Sequence, residues 1–106
     1  MKPSFGYLDK LSGGNEKFKE KIITILLEEL PTEYTSYKNA LESQNYYWAS
    51  EIVHRIKQKI TFLEMNESFK IADRHENSLR EGKLIYLQEF EDIIDKILNF
   101  LSRTHE

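Results

Sequence analysis

Apolar residues recur along this chain at spacings of three and four, the period of a helix with one buried face. No segment alternates as a half-buried strand would. Four glycines and two prolines punctuate the pattern. After a short opening turn carrying Tyr7, Leu8 and Leu11, the run Ser12-Gly13-Gly14-Asn15 breaks the chain, and Asn15 is placed to cap a helix with the stripe Phe18, Ile22, Ile25, Leu26 and Leu30. Pro31 is expected to end or sharply kink that helix. It suits the first turn of a short one, ending near Ser43, that turns Tyr34, Tyr37 and Leu41 inward.

A further long helix is predicted over 45–63, capped by Asn45 and running through Trp48, Ala49, Ile52, Val53, Ile56 and Ile60. Asn66 is the expected cap of the next, which has Phe69, Ala72 and Leu79 inside and Gly82 as its left-handed stop. The last is predicted over 84–103, with Leu87, Phe90, Ile94, Ile97, Leu98 and Leu101 buried. Short connections favour antiparallel neighbours. The expected fold is therefore all-α, an up-down antiparallel four-helix bundle with an additional N-terminal helical segment, in a single domain over 1–106.

Composition narrows the functional classes. With 40% of its 106 residues hydrophobic, the chain can fill one core and has no room for a second. Its 18 acidic and 15 basic side chains leave a net charge of -3, which disfavours nucleic acid as the main partner. The absence of cysteine removes disulfides, thiol chemistry and Cys-ligated zinc. Residues 1–10 carry no uninterrupted apolar stretch, and the longest apolar run falls well short of the roughly 20 residues a membrane span needs. The reading is a soluble, cytoplasmic monomer that binds no membrane.

One residue of the third segment stands out. At about 100° per residue, Ala49, Ile52, Val53, Ile56, Ile60 and Leu63 fall within an arc of roughly 100°, and His54 lies about 150° from its centre. The ring is thus expected to project to solvent from the middle of a rigid helix. Tyr47, Ser50 and Glu51 on the preceding turns, and Lys57, Gln58 and Thr61 on the following ones, share that side. A neutral imidazole is an available nucleophile near neutral pH, and an ammonium one turn away can neutralise phosphoryl oxygens. Arg55 and Lys59 are expected to add positive potential. An exposed His beside a Lys is nevertheless common on amphipathic helices.

The run Val53-His54-Arg55-Ile56-Lys57, followed by Ile60, Phe62, Leu63 and Met65, resembles the A-H-x-[IL]-K signature of histidine phosphotransfer (HPt) domains. Tyr7-Leu8-Asp9 with Leu11-Ser12-Gly13-Gly14-Asn15, and residues 26–34 around Pro31, resemble the family's opening and following helices, so the likeness covers nearly the whole chain. It implies that His54 is the phosphoacceptor and that Lys57 stabilises the phosphoryl group. Tyr47, Ser50, Glu51, Arg55, Gln58 and Thr61 would form the partner-binding face. The implied role is a phosphocarrier in a two-component phosphorelay, passing phosphoryl groups between receiver domains of response regulators and a hybrid sensor histidine kinase. The receiver would supply the metal and most of the catalytic groups.

Two positions depart from that pattern: the family commonly has glycine where Gln58 and Glu64 stand. Gln58 either narrows the set of partners or donates an amide hydrogen bond to phosphate, whereas Glu64 bears on the helix end. The alternative function is a degenerate helical adaptor that docks on a receiver or kinase without carrying phosphate. No nucleotide-binding glycine pattern occurs, so self-phosphorylation from ATP is not expected, and no cofactor is implied. No metal site is expected either: His54 has no second histidine four residues away. His75 is expected to be a partly buried structural residue and His105 part of a tail. Tyr46, Tyr47 and Trp48 are read mainly as packing residues, with Tyr47 open to a partner, and the acidic stretch 88–95 as a solvated helix face.

Overall fold

The computed structural model describes residues 2–104, and every regular element among them is a helix. They are α1 (Gly6–Ser12), α2 (Glu16–Glu42), α3 (Tyr46–Ile60), α4 (Asn66–Arg80) and α5 (Leu87–Thr104), with a 3-10 turn at Thr61–Leu63. His105 lies outside the described residues.

Two asparagine caps begin the helices that the sequence assigns them. Asn15 Oδ1 accepts from the Phe18 N–H and Asn45 Oδ1 from the Trp48 N–H, both at 3.1 Å. Each satisfies a donor that the first helical turn leaves unpaired. Asn66 differs: α4 starts at that residue, behind Met65, with no side-chain cap. Gly82 closes α4 in the left-handed conformation, φ +73°, with its N–H on Leu79 O at 2.9 Å and the Lys83 N–H on Ser78 O at 2.8 Å. These bonds cover carbonyls that would otherwise be orphaned at the helix end.

Pro31 neither ends nor divides its helix; it lies inside a continuous α2 of 27 residues. Proline in a helix interior removes one backbone bond and crowds the preceding turn, at a cost of about 3 kcal/mol. Tertiary packing offsets it. Leu26 and Leu30 before the proline, and Tyr34 and Tyr37 after it, are all buried against one core. Breaking the helix at Pro31 would release one of those pairs from the interior. The resulting rod, about 40 Å at 1.5 Å per residue, matches the 43 Å long axis of the molecule.

Helix α3 packs on α2 and most extensively on α4, while α5 touches both α2 and α4, so the four long helices contact in a closed ring. The interior they enclose is filled by Ile52, Val53, Ile56, Leu79, Phe90, Ile94 and Ile97, among others. His75 is fully buried there, more deeply than its position at the edge of the α4 stripe suggests. Its Nε2 lies 2.7 Å from the Tyr37 hydroxyl, and its ring packs on Phe90 with centroids 5.0 Å apart. Helix α5 begins three residues later than predicted, leaving Leu84 and Ile85 exposed in the preceding loop.

Glu64 ends the 3-10 turn in the left-handed conformation, φ +56°, a geometry that costs a non-glycine residue about 1 kcal/mol. Its carboxylate lies over Gly6, where a Cβ would come within 3.0 Å of Oε2. The Ser4 N–H donates to Leu63 O at 2.9 Å. Glu64 therefore acts where the N-terminal segment docks on this turn. No helix is long and apolar enough to cross a membrane among the described residues.

Candidate functional site

The α3–α4 interface carries one connected group of charged side chains. His54 leaves α3 with 44% of its side chain exposed, while Glu76, facing it from α4, keeps only 5%. His54 Nδ1 lies 3.2 Å from both carboxylate oxygens of Glu76. Lys57 reaches Glu76 Oε1 at 2.9 Å and Asp73 Oδ1 at 3.0 Å. Arg80 reaches Glu76 Oε2 at 2.9 Å and Glu51 at 3.5 Å.

A carboxylate so buried is tolerable only when its charge is matched and its lone pairs are used. Glu76 meets both conditions through Lys57 and Arg80. Held by two permanent cations it is an acceptor only, so the nitrogen of His54 that faces it must carry the proton. The Nδ1–H tautomer places the free lone pair on Nε2, at the more exposed edge of the ring. A buried acceptor behind an imidazole also fixes the direction in which the ring points. Burial draws the Lys57 ammonium down, but its hydrogen bonds to Glu76 and Asp73 outweigh that effect and set its pKa above the ordinary lysine value.

Gln58 stands on the next turn, its amide nitrogen 3.5 Å from His54 Nε2. Helical phase also puts Gln58 on this side of α3. Thr61 is exposed further along, with its hydroxyl on Gln58 O at 2.6 Å. Tyr47, 66% exposed, stands two turns before His54. Two cations, Lys57 and Arg80, thus face three carboxylates, Glu51, Asp73 and Glu76.

Two expectations are corrected. Ser50 is fully buried and its hydroxyl donates to Tyr47 O at 2.6 Å, so it is no part of an accessible face. Helix α3 is covered by α2 on one side and α4 on the other, which widens its buried sector beyond the apolar arc. Lys59 turns away from His54 and pairs with Glu29 and Glu33 of α2 at 3.1 and 3.0 Å. Arg55 lies over the half-exposed Trp48 ring, 5.1 Å from its centroid. Of the predicted cations, Lys57 alone joins the group around His54.

Glu76, Asp73 and Arg80 were not singled out from sequence. Their spacing of three and four along α4 held a signal, a charged line flanking the apolar stripe of Ala72 and Leu79. Glu51 and His54 stand three apart, a spacing open to metal ligation, yet Glu51 turns to Arg80. Among the described residues no three His, Asp or Glu side chains converge in a metal-binding arrangement. Comparison of the chain with protein-family models, curated proteins and solved structures finds no match.

Proposed function

We propose that this chain is a histidine phosphotransfer protein that accepts a phosphoryl group on His54 from a receiver-domain aspartate and passes it to a second receiver. The observation that carries this reading is the half-exposed His54 ring, tethered at Nδ1 by the buried Glu76 carboxylate and met at Nε2 by the Gln58 amide at 3.5 Å. The closed ring of contacts among α2, α3, α4 and α5 supports the corresponding architecture, an up-down four-helix bundle with α1 as the additional N-terminal segment. The sequence resemblance around His54 and Lys57 points the same way.

In this reading Nε2 attacks the phosphorus of the receiver's aspartyl phosphate. The N–P bond forms as the bond from phosphorus to the aspartate oxygen breaks, and the receiver's carboxylate leaves with the bonding pair. The His54 ring keeps its Nδ1 proton and gains positive charge. Glu76, 3.2 Å from that proton, stabilises the charge by a charge-assisted hydrogen bond. Onward transfer reverses these changes at a second receiver and returns a neutral imidazole. The chain acts as a carrier in the cytoplasm and takes its phosphoryl group from another protein.

The test is incubation with a radiolabelled, phosphorylated receiver. Acid-labile, base-stable label is expected on this chain and is expected to vanish in His54→Gln. Receiver binding without label transfer would replace the carrier by a docking adaptor, and label surviving in His54→Gln would place the acceptor elsewhere.

A further inference from the structure

The Lys57 ammonium is already engaged by two carboxylates. Its ammonium bonds Glu76 Oε1, one of the two oxygens that face His54 Nδ1, and takes Asp73 as its second partner. Two of its three donors are thereby committed to carboxylates.

The two carboxylates differ in how readily they release it. Glu76 is 5% exposed, so water could not take the place of Lys57 on its Oε1. Asp73 is half exposed, and water can solvate it as soon as the ion pair opens. The Lys57 side chain is 12% exposed and its ammonium lies 5.6 Å from the Phe69 ring centroid. A phosphoryl oxygen that engaged Lys57 would therefore replace Asp73 more readily than Glu76.

We propose that Asp73 is a positioning residue that competes with the phosphoryl group for Lys57 and so shortens the life of phosphorylated His54. The inference rests on His54 being the phosphoacceptor. A carrier must give up its phosphoryl group as readily as it takes it. A second carboxylate on Lys57 lowers the stability of the phosphorylated state without touching the reacting nitrogen. Asp73 acts through Lys57 and makes no contact with the reacting atoms.

Phosphoramidate tests this without a receiver. Nε2 attacks its phosphorus, the P–N bond of the reagent breaks, and ammonia leaves. Phosphohistidine is followed by phosphorus NMR, and its decay is timed after the reagent is removed. In Asp73→Asn the half-life is expected to lengthen about two- to fivefold, the range for releasing one exposed ion pair. Asp73→Glu is expected to restore the short half-life. In a Lys57→Gln background the substitution at Asp73 is expected to change nothing. Equal half-lives for wild type and Asp73→Asn, or an undiminished effect without Lys57, would overturn the role of Asp73 while leaving His54 as acceptor. Absence of phosphohistidine in every variant would overturn the acceptor reading itself.

Discussion

His54 and His75 both lie in the interior of a helix and both have one ring nitrogen near a partner from a neighbouring helix, yet they are built for opposite ends. His75 is sealed among Tyr37, Phe90 and the apolar core. Burial pushes its pKa down to about 4. His54 stands at the rim with a cation-held carboxylate behind it and its second nitrogen toward solvent. In the proposed phosphotransfer the two would differ by what lies beyond the second nitrogen. At His75 that atom, Nδ1, is buried without a hydrogen-bond partner; at His54 it is Nε2, met by the Gln58 amide at 3.5 Å.

The largest expected effect breaks the comparison from the core side. His75→Ala removes a fully buried ring and leaves the Tyr37 hydroxyl without its partner, so it should lower unfolding free energy by about 3 kcal/mol. His54→Gln removes a half-exposed ring and should change stability by less than about 1 kcal/mol. Urea denaturation measures both. Equal losses would show that His54, too, is structural.

Acid should separate the two residues in a different way. The unfolded chain protonates His75 near the ordinary value of 6.5, whereas the folded chain does so only near 4. Between those values the unfolded state binds the extra proton, so stability falls as pH drops from about 6.5 and the loss from this group is complete below about 4. At 1.36 kcal/mol per unit, the full effect approaches about 3 kcal/mol. Unfolding measured across that window should show this decline in wild type. A flat profile would mean that water reaches His75.

Glu76→Gln probes the rim. Lys57 keeps Asp73 and Arg80 keeps Glu51, so the stability loss should stay near about 1–2 kcal/mol. The functional effect should exceed what that loss implies. A neutral amide no longer holds the Nδ1 proton by a charge-assisted bond, and transfer of label to His54 should slow by about tenfold, equivalent to about 1.4 kcal/mol. Unchanged transfer with the expected stability loss would reduce Glu76 to a structural role.

The rim and the core were unequally legible in the sequence. The half-exposure of His54 and its neighbours Lys57 and Gln58 follow from phase along a single helix, which a linear pattern contains. Glu76 and Asp73 reach the same place only through the rotation and register of α4 against α3, which local periodicity does not encode. Ser50 was misplaced for a related reason: a helical wheel assumes one buried face, and α3 has neighbours on two sides. Pro31 obeys a local rule until long-range packing overrides it. The caps at Asn15 and Asn45 and the stop at Gly82 are local chemistry, and there sequence and structure agree.

The smallest effect concerns the open edge of the His54 ring. The Gln58 amide nitrogen lies 3.5 Å from Nε2, a distance at which a hydrogen bond is weak, so clearing it should gain no more than about 1 kcal/mol, or roughly fivefold in rate. Gln58→Gly and Gln58→Ala both remove the amide, but only glycine also removes the Cβ that an approaching receiver loop would meet. Glycine costs the helix about 1 kcal/mol relative to alanine, which urea denaturation of the two variants will report independently. If the amide alone obstructs the lone pair, both variants should transfer phosphoryl faster from the same receiver, by the same factor. If space is what the receiver needs, the glycine variant alone accelerates and accepts a wider set of receivers. Slower transfer in both would assign the amide to the phosphoryl oxygens, as a donor that assists the reaction at the one edge of His54 the core leaves free.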